Sequence, residues 1–436
     1  MRATVEREAV PPPFPPLRRN REFMLLWSGA GASILGSRAS MIAYPLLVLW
    51  QTGSASASGL VMAAALLPNL VVQLPAGVLV DRWNRRHLMI ISDIGCVLVA
   101  ASVAVSVLLG RVWIPQLMVA GFIGTSLSVV YLLAERGGVR NLVATEQLPA
   151  AMSRNETRGR VANLIGQPVG TLLFTVSRGF PFLFAALAHL VSLAALLLIK
   201  KEFQVERVDR PRRLRVDLSD GIIWTWRQRV LRTVLMFIAA TNVLFQGLTL
   251  GVLVIVEQSG RSPAFVGLVL AGGGVGGAIG AASARWWRTR LDLRAVVVGG
   301  FVVWALLMPW VAVVRDPVML GALFAVMSYV GGVLNVAGAV YQIRTTPDAM
   351  QGRVGSVMLL LTAGVTPLGA LAAGFALDAF GVTGTAFGIG CVMVALAGLI
   401  SVSSVVRSVP DYSLVAPLRR LVRASEPPQG NGASGR

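Results

Sequence analysis

Leu74-Pro75-Ala76-Gly77-Val78-Leu79-Val80-Asp81-Arg82-Trp83-Asn84-Arg85-Arg86-His87 joins two apolar runs, residues 58–80 and 88–109. Each run is long enough to cross a bilayer, which takes about 20 apolar residues. The link between them is too short to be a domain, and it holds one acid, three arginines and a histidine. A turn this short and this charged belongs at a membrane surface, and its arginines place it on the cytoplasmic side. Gly77 is expected to let another helix come close where the first run leaves the membrane. Asp81 is suited to accept hydrogen bonds from a helix N-terminus or from nearby arginines.

Composition extends this reading to the whole chain. Of 436 residues, 55% are hydrophobic and 14% charged, and the mean hydropathy is +0.71. A soluble protein carries about 25% charged residues, so this is an integral membrane protein. The formal charge of +19 could suggest nucleic acid, but its distribution argues against that partner. Among the basic residues, Arg111, Arg178, Arg261 and Arg315 fall in the expected outer loops and Arg38 lies within a span; all the others lie on the opposite side. That bias puts both termini of a multi-pass membrane protein in the cytoplasm. Cys96 and Cys391 each sit within an apolar run and suit neither a disulfide framework nor a metal site, and two histidines do not make a metal centre. No cleavable signal peptide is evident, since the first apolar run is too long and lacks a small-residue cleavage site.

In order, the chain reads as a polar, proline-rich tail over 1–22, a first half over 23–199, a basic loop over 200–230, a second half over 231–406 and a polar tail over 407–436. The expected spans are 23–50, 58–80, 88–109, 116–138, 156–177, 180–199, 231–256, 263–284, 295–314, 317–341, 354–378 and 383–406. Within the basic loop, the stretch from Asp217 to Trp226 suits a short helix lying on the inner membrane surface. The halves repeat. Gly59-Leu-Val-Met-Ala63 matches Gly267-Leu-Val-Leu-Ala271 at an offset of 208, and Arg154, Pro168 and Gly170 match Arg353, Pro367 and Gly369 at an offset of 199. The opening stretch decays in its repeat: Gly280-Ala-Ala-Ser-Ala284-Arg285 has alanine where the acid would be. Two like sets of six spans imply a duplicated helical bundle with parallel repeats.

Gly77, Asp81, Arg82, Arg85 and Arg86 resemble the signature between the second and third helices of major facilitator superfamily transporters. The resemblance covers residues 23–406 and is closest to the drug–proton antiporter group of macrolide and enterobactin exporters. It is carried also by Ala43–Val48, by Glu135-Arg136 with Arg140, by Arg154-Asn155-Glu156 and by Thr366–Ala370. It implies an all-α membrane protein of twelve helices in two pseudo-symmetric six-helix bundles, with the first, fourth, seventh and tenth helices lining a central cavity. Two positions depart from the group. Ser37 and Arg38 follow Gly36 where an acid is usual, and the helix-bend motif Gly166-Gln167-Pro168-Val169-Gly170 has its proline shifted by one. Pro367 and Gly369 are its counterpart in the second half.

Ionisable groups inside spans are costly and mark function. Glu135, Arg136, Arg154, Arg158 and Glu156 join Gly77, Asp81, Arg82, Arg85 and Arg86 as one expected group at the cytoplasmic face of the first half. Asp93, six residues into the third span and so roughly 9 Å along a helix, belongs with them. The group reads as ion pairs that close the inner mouth; alternatively Asp93, Glu135 or Glu156 also carries a proton, whose binding would weaken the closure. Arg38 is deepest, about 15 residues or roughly 22 Å from the start of its span. A guanidinium stays charged, so it needs water, carbonyls or an acidic group on a cargo, unless it only ties helices. Polar stripes supply the remaining cavity candidates: Tyr44 with Ser33, Ser37 and Ser40; Ser128 and Tyr131; Asn242, Gln246 and Thr249; Ser328 and Asn335. The other use of such stripes is interhelical packing.

These readings point to a secondary active transporter, a proton-coupled exporter of an amphipathic small molecule such as a drug, siderophore or secondary metabolite, working by alternating access. The alternatives are an importer or facilitator of a small organic solute, or a transport-dead membrane sensor. No Gly-Lys-Ser/Thr phosphate loop indicates an ATP-driven pump, and no clustered catalytic set indicates an enzyme. The expected partners are the cargo, protons and lipid, with no cofactor, and the chain is expected to act as a monomer.

Overall fold

Where no water can satisfy a backbone, a chain must close its hydrogen bonds within each crossing segment, and the apolar runs accordingly become helices. The computed structural model describes residues 16–201, 203, 222–347 and 350–403. The six helices of the first half are α1 (Arg21–Thr52), α2 (Ala55–Val71 with Gln73–Arg82, bent by 49°), α3 (Arg85–Leu108), α4 (Ile114–Leu142), α5 (Leu148–Val176) and α6 (Phe180–Leu198). Those of the second half are α7 (Arg229–Gln258), α8 (Ala264–Arg290), α9 (Leu293–Ala312), α10 (Pro317–Thr345), α11 (351–380) and α12 (382–402). The last two run on as one 52-residue stretch broken at Gly381, whose φ of 66° suits a residue without Cβ.

Several helices outrun their apolar segments at the end that carries the signature turn, called here the basic end. α5 begins at Leu148, eight residues before its expected start, and α8 runs to Arg290. The signature is hardly a loop at all. α2 ends at Arg82, Trp83 and Asn84 make the turn, and Asn84 Oδ1 accepts from the backbone N–H groups of Arg86 and His87 to start α3. Residues 222–227 are helical, with Trp224 packed against Leu231, Leu235 and Val354. The start of the expected surface helix, at 217–221, the proline-rich tail up to residue 15 and the tail after residue 403 lie outside the described residues.

The core decides how the halves sit. At the end opposite the signature, the far end, one apolar cluster takes residues from both halves, among them Leu46, Leu47 and Leu49 of α1, Leu253 and Val256 of α7, and Leu377 of α11. At the basic end the clusters divide. One holds first-half residues such as Phe23, Leu88 and Leu142, and separate ones hold second-half residues such as Leu231 and Ala284. The two bundles are therefore packed together at the far end and parted at the basic end.

The matched sequence repeats meet across this far-end joint. Gly59 of α2 lies against α11, where a Cβ on it would stand 2.6 Å from the Ala370 carbonyl oxygen and 2.9 Å from Gly374 Cα. Gly267 of α8 lies against α5, at Pro168 and Thr171. Each bundle thus presses its Gly-Leu-Val repeat onto the helix of the other that carries the Pro-x-Gly motif, at the motif on α5 and just past it on α11.

Candidate functional site

Among the described residues, the buried acidic and basic side chains are Asp93, Glu135, Arg158 and His189, all in the first bundle. They form two separate pairs. Glu135 of α4 is 1% exposed and receives Arg158 Nη2 on both oxygens at 2.9 and 3.0 Å. Asn155 Nδ2 also donates to Glu135, at 3.1 Å, and Arg158 Nη1 donates to the Trp27 carbonyl at 3.2 Å. This ties α1, α4 and α5 within one bundle. Asp93 of α3, fully buried, has its Oδ1 2.8 Å from His189 Nδ1 on α6. Ser33 Oγ lies 3.2 Å from the same nitrogen, Ser37 Oγ lies 3.1 Å from Nε2, and Ser37 in turn meets Ser128 at 3.2 Å. Asp93 Oδ2 has no hydrogen-bond partner among the described residues. A cavity of about 40 Å³ adjoins this network, lined by Ser37, Tyr44, Cys96, Ser128 and His189, which is room for a water molecule.

The expected single cytoplasmic group therefore resolves into parts with different partners. Arg85 donates to the Gly137 carbonyl at 3.0 Å, and Arg86 to the carbonyls of Leu196 and Leu197 at 3.2 and 3.3 Å, the last turn of α6. Both hold their own bundle together, and Arg86 sits where a helix C-terminus favours a cation. Asp81, Arg82, Arg136 and Arg154 are exposed, and the Arg154 carbonyl accepts from Trp27 Nε1. Glu156 is exposed and paired with Arg160 at 3.1 Å, one turn along α5. The helix expected against Gly77 is absent: a Cβ there would meet nothing within 4 Å. The physical reason is the parting of the bundles at this end.

That parting opens a cavity of about 860 Å³. Glu156, Arg160, Arg294 and Tyr341 stand at its basic-end mouth, and Phe237, Phe245, Phe301, Trp304 and Met327 wall it further in. A second cavity of about 470 Å³ adjoins it, sharing Asn163, Leu164, Phe245, Gly274 and Ser328, and reaches Arg38. Of the sequence candidates, Arg38, Asn242, Thr249, Ser328 and Asn335 line these two spaces. Asn242 Nδ2 also donates to the Thr362 carbonyl at 2.9 Å.

Four cavity candidates lie elsewhere. Tyr44 packs edge-on against Phe182 at 5.0 Å inside the first bundle. Ser128 bonds Ser37, and Tyr131 Oη meets Ser192 Oγ at 2.8 Å, also inside it. Gln246 Nε2 reaches Met62 Sδ at 3.4 Å where α7 meets α2. The cause is helical phase. On α1 the stripe Ser33, Ser37, Ser40, Tyr44 faces α3, α4 and α6, and Arg38, turned by about 100°, faces the cavity. The helix-bend residues serve contact. A Cβ on Gly166 would stand 2.5 Å from Arg38 Cβ, and Gly170 lies on the Ala39 backbone, so α5 rides on α1. Gly369 does the same for α11 on α7, at Val243.

Sequence reasoning passed over His189 and Asp378. His189 counted only against a metal centre, although His189 and Ser192 share one face of an otherwise apolar helix. Asp378, near the far end of α11, accepts from the backbone N–H groups of Ala55 at 3.0 Å and Ser56 at 2.9 Å, and from Ser54 Oγ at 3.3 Å. It caps the N-terminus of α2 across the bundle boundary.

Residues 12–422 match the family described as transmembrane secretion effector. The multidrug efflux pump Tap of Mycobacterium tuberculosis is 27% identical over 391 residues, which cover 84% of this chain and 89% of that protein. Macrolide efflux protein A of Streptococcus pyogenes is 25% identical over 157 residues, 36% of this chain and 38% of that protein. Among solved structures, a point mutant of the nucleoside transporter NupG superposes with a TM-score of 0.67 at 12% identity, covering 88% of this chain and 98% of its own. A bacterial homolog of the human lysosomal transporter Spinster, in an inward-facing and unoccupied conformation, superposes with a TM-score of 0.68 at 11% identity, covering 89% and 98%. These two likenesses show the fold.

Proposed function

Because the chain belongs to the transmembrane secretion effector family of major facilitator transporters, we propose that it is a secondary exporter of amphipathic small molecules, driven by protons. The observation that carries this reading is the 860 Å³ cavity, open at the basic end and shut at the far end by apolar packing shared between the bundles. The bias of basic residues puts that open end in the cytoplasm, with both termini there. The conformation is then the one that loads cargo from the cytoplasm of a bacterial cell. Rocking the bundles about their shared joint would close the basic end and open the far one. Gly77, which has no helix close to it here, and Asp81 one turn on are then placed to meet the second bundle. The chain needs no second copy for this cycle.

For coupling, Asp93, which the structure pairs with His189, is the best of the three sequence candidates. Glu135 is held by Arg158 on both oxygens, and Glu156 is exposed beside Arg160. Asp93 has an oxygen without a hydrogen-bond partner among the described residues, and its partner His189 lines a water-sized space together with Cys96 of α3 and Tyr44 of α1. A proton taken up there alters the charge of a pair that bonds α3, α6 and α1.

Proteoliposomes with an imposed pH gradient and a compound panel test the reading. Cargo should accumulate against the proton gradient, and a protonophore should abolish the accumulation. Asp93→Asn should keep exchange of labelled for unlabelled cargo and lose gradient-driven accumulation. Full accumulation by that variant would remove the pair from coupling. A panel in which no compound responds to the gradient would remove secondary export.

A further inference from the structure

We infer that the deep cavity is a site for an anionic amphipath, whose carboxylate or phenolate binds Arg38 and whose apolar body lies against Phe245 and Phe324. The inference rests on reading this cavity as the cargo pathway. Its first ground is the isolation of the guanidinium. Arg38 lines the 470 Å³ space, and the one hydrogen-bond acceptor it meets among the described residues is the Met41 sulfur, at 3.6 Å. A thioether is a weak acceptor. A charge at this depth in a membrane protein demands a partner.

The second ground is that no acid among the described residues is left for it. No residue lining the deep cavity is acidic. The buried carboxylates among the described residues are engaged, Asp93 with His189 and Glu135 with Arg158. Glu156 stands at the outer mouth of the larger cavity and is paired with Arg160. With no described acid left to face Arg38, we take the anion to be the ligand's own.

The third ground is the shape of the surroundings. α5 lies directly on the Arg38 stem at Gly166, which fixes the side chain's course. One residue after Gly166 and one turn before it, Gln167 and Asn163 line the same cavity. Two amide donors beside a guanidinium suit a planar anion, which Arg grips through its fork. Thr249 and Ser328 face the same space, and the remaining wall is apolar: two leucines, two phenylalanines, Pro168 and two glycines. A small hydrated inorganic anion would leave that wall unused; an organic acid uses both.

Dansylglycine, dansylglycinamide and dansylcadaverine share one fluorophore and carry a carboxylate, no charge and an ammonium. Binding to the purified, nanodisc-embedded protein is read by tryptophan-to-dansyl energy transfer. Wild type should bind the carboxylate at least about tenfold more tightly than the amide, and the ammonium most weakly. Arg38→Gln should erase that preference, the acid losing far more affinity than the amide, and Arg38→Lys should fall between, because it keeps charge and loses the fork. Thr249→Glu places a carboxylate across the same cavity; it should cancel the preference in a chain that retains Arg38. Equal wild-type affinity for the acid and the amide overturns the inference, as does equal loss of all three probes in both Arg38 variants. Preferential binding of the acid without any gradient-driven transport would leave this site standing and fail the export reading. Transport with no acid preference would do the reverse.

Discussion

The two bundles share one plan and hold different things. The first is packed solid around charge: Asp93 with His189 and Glu135 with Arg158 are both buried within it. The second has no buried acidic or basic side chain among the described residues; its buried polar side chains are threonines such as Thr241 and Thr385, and the larger cavity runs along it. At the offset of 199 that aligns Arg154 with Arg353 and Pro168 with Pro367, Arg158 answers to Val357, which is buried and apolar. Duplication kept the backbone and the joint, and the chemistry of the spans diverged. On the export reading proposed above, coupling falls to one half and cargo to the other; α5 and Arg38 are the first bundle's share of the cavity wall.

The largest expected effect follows from breaking a charge pair. Glu135→Ala leaves Arg158 buried without its anion, which costs about 3–5 kcal/mol. The variant should unfold well below wild type in a thermal assay in detergent, whatever its cargo. Replacing both residues by leucine should recover most of that loss. A matched deletion in the second bundle, Thr241→Val, removes a hydroxyl that bonds its own helix at Ile238 and should cost about 1 kcal/mol. Comparable losses for Glu135→Ala and Thr241→Val would erase the contrast between the bundles.

The joint offers a second, smaller test. An added methyl at Gly59 meets backbone, at 2.6 and 2.9 Å, which cannot step aside. At Gly267 the nearest obstacle is the Thr171 hydroxyl, which can rotate. Gly59→Ala should therefore disfavour far-end closure by about 1–3 kcal/mol, and Gly267→Ala by less. Pulsed electron-resonance distances between spin labels at the far ends of α2 and α11 would report the shift. An equal response at the two glycines would mean that the joint is more symmetric than its side chains.

Much of this was legible in the sequence, and the limits have a physical cause. Apolar length gave the spans, since a helix must cross the bilayer whatever it packs against. α5 is an informative exception. It does not stand among the helices long and apolar enough to pass as spans by composition, because Glu156, Arg158, Arg160, Asn163 and Gln167 lie along it, three of them on the wall of the larger cavity. The repeats at offsets 208 and 199 were visible as marks, but that they touch across the bundle boundary depends on packing. Helical phase was the main loss. Spacing shows that Ser33, Ser37 and Tyr44 share a face, not which neighbour that face meets, so three first-bundle candidates proved to be interior and Arg38, one residue off the stripe, lines the cavity. Asp378 was illegible for a related reason: its partner is the start of a helix more than three hundred residues earlier.

Asp378 gives the finest test of the joint. Its carboxylate accepts two backbone N–H groups at the start of α2 and a serine hydroxyl, so it stabilises only a state in which the far ends of α2 and α11 are together. Asp81 stands at the other end of α2, exposed, where the bundles are apart. Asp378→Asn keeps one acceptor and turns an NH₂ group toward backbone donors. The side chain is exposed to solvent, so the loss is modest, about 0.5–1 kcal/mol. That corresponds to roughly a two- to fivefold rise in the far-end-open population, measured with the same α2–α11 spin labels. Cargo affinity should stay unchanged, because Asp378 lines neither large cavity. A distance distribution identical to wild type would show that the apolar cluster alone holds the far end shut.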